Sequence, residues 1–248
     1  GRGPFRFGFM WGYTFRGDEL FPLIQAGLAE RFPGSTFVPY SEFGNVHGRD
    51  ETKVFAALPG RLRALKVDAL IVGIGTAGSG GAAVVRAAMT AEAAGVPSVG
   101  IVSSGFMRLA TAVKRAIGAP ELAIAEYPGM ITFDSAAAQA DKFRGPVTDA
   151  VIGALAGAAA GPSATVDEPQ PGSVVFRGSF DEIQRHFDAQ EWSDGLPVVP
   201  PTRERVAAFL EWTRRDPDEV IAVLAPELRE ATVRSVAVNG VMAGCLPE

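Results

Sequence analysis

At 248 residues, 47% of them hydrophobic and 21% charged, the chain is long enough for one large domain or two small ones, each with its own core. A formal net charge of −5, a pI of about 5.2 and scattered Lys and Arg argue against a nucleic-acid groove. The single cysteine, Cys245, excludes an internal disulfide. His47 and His186 lack zinc-ligand spacing, and no apolar run reaches the ~18 residues of a membrane span. The start has no basic–apolar–small order, so a cytoplasmic protein without a signal peptide is expected, with Gly1 read as a processed or tag-derived start.

In chain order, Phe5 to Met10 is a β-rich run ending in Trp11-Gly12-Tyr13. Asp18 is placed to cap a helix to about Phe32, with Leu20, Leu23, Ile24 and Leu28 on one face. A strand is predicted over Ser35 to Tyr40, then a polar loop from Ser41 to Asp50. A helix from Glu51 to Lys66 is expected to be interrupted near Pro59-Gly60. Asp68 to Gly73 is a third strand. The helix that follows runs to about Ala94 and stops at Gly95. Pro97 to Val102 and Leu122 to Ala125 are further strands, with a helix near Phe106 to Ile117 between them and another from Ser135 to about Leu155. Strands alternating with helices predict an α/β fold: a five-stranded, doubly wound parallel sheet of flavodoxin-like or Rossmann-like type, over residues 1–158. In such sheets ligands bind beyond the carboxyl ends of the strands.

Residues 159–173 read as a small, Pro-rich linker, and 174–248 as a smaller, incomplete α/β segment. There the predicted elements are a strand over Val174 to Arg177 and a helix capped by Ser179. An extended Trp192-to-Thr202 stretch follows, then a helix capped by Thr202 with Val206, Phe209 and Leu210 inward. A helical turn at Asp216 to Glu219 and a helix over Ala231 to Gly244 complete the reading.

The stretch that organises the chain is Leu70 to Gly81. An apolar run gives way to seven small residues in the nine positions 73 to 81, and Ala82 to Met89 then resumes as a helix. A strand, a small-residue turn and a helix start make an anion site: the first helical N–H groups lack internal partners, the helix dipole is positive there, and glycine lets a ligand approach. Thr76, Gly78, Ser79 and Gly80 form the candidate anion site, with Ser104 on the next loop in support. The structural alternative is a tight connection whose hydroxyls cap helices. No Walker lysine follows. Gly73, Gly75 and Gly78 fit a dinucleotide spacing, but two strand–helix units precede them, and Glu92, at the acid's distance, falls in a helical run. No cofactor and no metal are expected.

Three tracts carry a family resemblance: Ala77-Gly78-Ser79-Gly80, the Asp194-to-Thr202 segment DGLPVVPPT, and the Asn239-to-Cys245 segment NGVMAGC. They resemble the UGSC family of bacterial (seleno)proteins over most of the chain from Asp68 onward. Members place a selenocysteine- or cysteine-Gly-Ser-Cys motif after the third strand. Ala77 and Gly80 stand at the two redox positions here, so the resemblance implies the fold without the family's redox chemistry. It also extends to the sulfate-eliminating, aziridine-forming enzymes of azinomycin-type antibiotic biosynthesis. What these imply is C–O cleavage with intramolecular amine attack, in a heterodimer. The alternative is a non-catalytic scaffold subunit of a UGSC-type thiol or selenol redox complex.

For that chemistry the sequence offers Glu126 as base, at the end of the fifth strand, if burial raises its pKa. Glu42 and His47 are alternatives on the second loop. Trp11 and Tyr13 are candidate pocket walls. Asp194 is read as structural, and Cys245 as buried. Family members continue past the Cys245 tract, so a separate smaller subunit is expected to complete the second domain. The substrate is expected to be a small molecule, free or on an amino-group carrier protein.

Overall fold

The computed structural model describes residues 3–157, 172–190, 192–193, 195–224 and 229–247. The predicted linker, apart from its last two residues, and Asp194 lie outside them. Two compact units divide the chain, Gly1–Asp167 and Glu168–Glu248.

The first unit is a five-stranded sheet, all parallel. Its strands are β1 (Arg6–Trp11), β2 (Thr36–Val38), β3 (Ala69–Gly75), β4 (Ser98–Ser103) and β5 (Ala123–Tyr127), in the order β2-β1-β3-β4-β5. This is the flavodoxin-like doubly wound order. β3 and β4 are buried at every residue, as centrally placed parallel strands require. On one face lie α2 (Glu51–Ala64), α3 (Gly78–Ala93) and α4 (Met107–Ala116). Their Leu58, Leu62, Val84, Val85 and Ala110 pack on Met10, Leu70, Val72 and Val102. On the other face lie α1 (Gly17–Arg31), α5 (Ala136–Lys142) and α6 (Thr148–Gly157). There Leu20, Phe21, Ile24 and Val151 join Phe143 and Val147 against Phe9, Ile71, Ile101 and Ala125.

Small residues set how closely α3 lies on the sheet. A Cβ on Gly75 would sit 2.9 Å from the Gly81 Cα, and one on Gly100 2.9 Å from Val84 Cγ1. Those glycines serve packing. The structure departs from the expected elements in several places. α1 starts one residue before Asp18, with Arg16 at the N-cap in the left-handed region and no side-chain cap. α2 runs through Pro59 and Gly60. α3 begins at Gly78, inside the glycine stretch. A five-residue π-helical turn, Phe143–Val147, joins α5 to α6, with Pro146 inside it.

The second unit holds α7 (Phe180–Ala189), α8 (Arg203–Leu210), β6 (Val220–Leu224), β7 (Arg229–Thr232) and α9 (Val233–Met242). α7 and α8 start where Ser179 and Thr202 cap them. Residues 174–177 form no strand. The turn after Asp216 leads into β6, not a helix, and β6 pairs antiparallel with β7. α9 ends in a Schellman motif: Cys245 N–H bonds Gly240 C=O at 3.0 Å, Gly244 N–H bonds Val241 C=O at 2.9 Å, and Gly244 has φ +75°. The Met-Ala-Gly-Cys tract is therefore a helix stop. Cys245, expected to be buried, is exposed.

Candidate functional site

The strand order reverses between β1 and β3, so the crevice lies above their carboxyl ends. α3 opens there. Its N-cap, Ala77, is extended and offers no side-chain cap, and Gly81 N–H makes the first helical bond, to Ala77 C=O at 2.8 Å. The N–H groups of Gly78, Ser79 and Gly80 therefore precede the helix ladder. Gly78 and Ser79 are exposed and Gly80 is half-buried. A Cβ on Gly78 would meet only Leu109 Cδ2, at 3.9 Å. A Cβ on Gly80 would meet only the Ala77 Cβ, also at 3.9 Å, inside the roughly 3.5–4.5 Å span of a disulfide's Cβ pair. Thr76 differs: it is 4% exposed, and its Oγ1 has no hydrogen-bond partner.

Beside α3, the β1 turn carries Tyr13, Phe15 and Arg16, all at positive φ (57°, 60° and 55°). Non-glycine residues populate that region at a cost, which surrounding contacts must offset. Trp11 supplies some of them. Its Nε1 donates to Thr14 C=O at 2.7 Å, and its ring stacks on Tyr13 at 4.8 Å and meets Tyr40 edge-on at 4.9 Å. Trp11 is buried and Tyr13 is half-exposed, so Tyr13 is the aromatic that faces solvent. Burial, then the neighbouring Tyr40, raises the Tyr13 pKa.

The β2 loop reaches the same crevice: Val46 N–H bonds Trp11 C=O at 3.1 Å. His47, buried there, places Nδ1 3.2 Å from Glu51 Oε2, and Glu51 Oε1 lies 3.3 Å from Arg86 Nη1 on α3. This His47–Glu51–Arg86 string ties the second loop, the start of α2 and α3 together. Sequence reasoning named His47 but missed Glu51 and Arg86. The signal available was the i, i+4 spacing of His47 and Glu51 across a helix start.

Glu42 and Glu126 are both exposed. The burial that a base role for Glu126 called for is absent, and β5 is an edge strand, two positions from β3. Ser104 is committed elsewhere. Its hydroxyl bonds the Glu126 carboxylate and Tyr127 C=O (3.2 Å), and it accepts from Gly129 N–H at 2.9 Å. It pins the fourth loop to the fifth. Thus Trp11, Tyr13, His47 and the α3 turn cluster around the reversal point, whereas the Ser104 hydroxyl, at the end of β4 next to β3, turns toward Glu126 on the edge strand β5.

Two further groups were not anticipated. Ser103, at the end of β4, is fully buried, and its Oγ has no hydrogen-bond partner. On the fifth loop Tyr127 OH bonds Asp134, which also takes Lys142 Nζ at 2.6 Å. Lys142, then Tyr127, lowers the Asp134 pKa, while burial and then Asp134 raise that of Tyr127. Glu92 donates nothing to the crevice. Its carboxylate accepts from Ser98 N–H at 2.6 Å, where β4 begins. Among the described residues no group of three or more His, Cys, Asp or Glu could hold a metal, and no helix is long and apolar enough to cross a membrane.

The UGSC family model matches residues 4–156, which is the first unit, the α3 turn and the crevice around it. The Asp194–Thr202 and Asn239–Cys245 segments fall outside that match. No curated protein and no solved structure matches the chain. Since the match spans more than half of the sequence, the chain belongs to the UGSC family.

Proposed function

We propose that the protein is a non-redox enzyme of secondary metabolism that closes an aziridine ring by eliminating sulfate. The amine nitrogen of a vicinal amino sulfate ester attacks carbon, the N–C bond forms, and the C–O bond breaks with its electron pair leaving on sulfate. The ammonium proton passes to a base on the protein. The observation that carries this reading is the uncapped, accessible first turn of α3 at the strand-order reversal. Three backbone N–H groups and the helix dipole would stabilise the departing dianion. Holding amine and ester in line supplies the rest.

Of the three sequence candidates, His47 is the base. It is buried beside the crevice, and Glu51 at Nδ1 would hold the proton there and leave Nε2 as the basic nitrogen. The 3.9 Å Cβ separation at positions 77 and 80 supports reading this turn as the place of a lost thiol or selenol pair. Cys245, the chain's one thiol, lies in the second unit. The exposed apolar side chains of that unit support a second polypeptide covering it, in a heterodimer. They also favour the alternative reading, a scaffold subunit without catalysis.

The test is sulfate release from a vicinal amino alkyl sulfate, free or carried on an amino-group carrier protein, by the chain co-expressed with its genomic neighbour. Wild type should release sulfate and product of matching mass loss. Gly80→Asp, which sets a carboxylate among the donors, should lose sulfate binding and turnover. His47→Asn should keep sulfate binding and lose turnover at least about a hundredfold. Sulfate binding without turnover in the wild type would leave the scaffold reading standing.

A further inference from the structure

Thr76 and Ser103 each lie one residue beyond the paired residues Gly75 and Val102 of neighbouring strands. Parallel strands run about 4.8 Å apart, so the two side chains are neighbours. Their face follows from the pleat. Ser103 is two residues on from Ile101 and pairs with Tyr127, and both pack in the core under α1. A Cβ on Gly75 would point the other way, toward Gly81 of α3, so Thr76 next to it shares the α1 face with Ser103. Both residues are at least nine-tenths buried, and neither hydroxyl has a hydrogen-bond partner. Ser103 even occupies the N-cap position of a 3-10 turn without bonding it. Two adjacent orphan hydroxyls are costly in a packed core, and such groups call for an explanation.

A bridge crosses this face. Arg16 Nη1, from the β1 turn, donates to Gln139 Oε1 on α5 at 3.1 Å, and Gln139 Nε2 donates to Ile131 C=O at 2.9 Å. β1 and β5 stand at either side of β3 and β4, so the bridge spans the ends of the strands that carry Thr76 and Ser103. Arg16 brings a positive charge, and Glu19 is its ion-pair partner.

We infer that the Thr76 and Ser103 hydroxyls form a second subsite of the crevice, on the α1 face, which takes a carboxylate group of the substrate with Arg16 as its countercharge. This deepens the reading above: the substrate would carry a carboxylate as well as the sulfate ester, and the two anions would bind on opposite faces of the sheet.

The test uses protein labelled at threonine methyls, titrated with propionate, with n-propanol and with sulfate. Propionate should shift the Thr76 methyl saturably and n-propanol should not. Ser103→Ala should weaken propionate at least about tenfold. It should also raise the Tm of the free protein by about 2–4 °C, since a partnerless buried hydroxyl is removed. Gly80→Asp should abolish sulfate binding and leave propionate binding intact, so that the two sites fail separately. A linear, unsaturable response would overturn the subsite, as would equal binding of n-propanol. A lower Tm for Ser103→Ala would show the hydroxyl to be bonded within the protein, with the same consequence. Should that variant not fold, the half-buried Arg16→Gln serves: unchanged propionate affinity there would overturn the inference.

Discussion

The two units handle apolar side chains in opposite ways. In Gly1–Asp167 the sheet is covered on both faces, and large apolar residues left exposed among the described residues are only Tyr13 and Phe133. In Glu168–Glu248 the described apolar residues that are buried are only Pro200, Ala237 and Val241, while Trp192, Leu196, Trp212 and Leu246 are among many that are exposed. β6 is the sharpest case. Val-Ile-Ala-Val-Leu is apolar at every position, which suits a strand covered on both faces, yet all five residues are exposed. The contrast separates two meanings of order. Capping boxes, a Schellman stop and a hairpin define the second unit locally, but local order without a shared core contributes little stability.

The largest effect that would break this comparison comes from separating the units. Residues 1–167 should fold alone, with a cooperative thermal transition in circular dichroism. Residues 168–248 alone should show no cooperative transition and should bind a hydrophobic dye. A cooperative, dye-free second fragment would show that its exposed side chains find one another in solution.

Point substitutions sharpen the same contrast. Phe21 is 2% exposed beneath β1, so Phe21→Ala should cost about 3–5 kcal/mol in chemical denaturation. Trp212 is 66% exposed, so Trp212→Ala in the isolated chain should change stability by less than about 0.5 kcal/mol. With a partner bound, the order of those two effects on complex affinity should reverse, because exposed tryptophans become anchors at interfaces.

A third substitution concerns the α3 turn. Replacing Ala77 and Gly80 together by cysteine should give a disulfide under air, seen as a two-dalton mass loss and a mobility shift on reduction. Their Cβ separation of 3.9 Å is already suitable. The short loop limits the gain to about 2 kcal/mol. A pair that stays reduced under oxidant would show that the turn is held more open than this geometry.

The legibility of the sequence follows the same division. The five strands and their order-giving alternation were readable because β3 and β4 are continuous buried apolar runs punctuated by glycine. Caps that use Ser or Thr, at 179 and 202, were readable too. The start of α1 was not, because Arg16 takes a left-handed backbone that no side-chain signal announces. The β6–β7 hairpin was missed because Asp216-Pro217-Asp218-Glu219 looks like a helix opening, and tertiary pairing decides otherwise. Within the candidate site, the glycine turn was visible, but Glu51, Arg86 and Ser103 were not. They come together only through strand register and helix packing. Ser104, by contrast, was legible, but its partners Glu126 and Gly129 were not, since they are distant in sequence.

The smallest expected effect concerns Glu92, which lies away from the crevice. Its carboxylate is half-buried and takes Ser98 N–H at 2.6 Å. Burial raises its pKa, and the hydrogen bonds from Ser98 oppose that only in part. An acid whose pKa is higher in the folded than in the unfolded state retains its proton longer when folded. Its contribution is therefore favourable below the ordinary Glu pKa, about 4.3, and is lost as pH rises through the folded value. Glutamine cannot ionise and keeps an acceptor for Ser98. The Tm of Glu92→Gln minus that of wild type should accordingly increase as pH is raised from about 4, then level off once wild-type Glu92 is fully ionised. Solvent on the open side of the carboxylate keeps the change small. If the difference instead declined with pH, the charge-assisted bond to Ser98 would outweigh burial, and the start of β4 would be held by the anion itself.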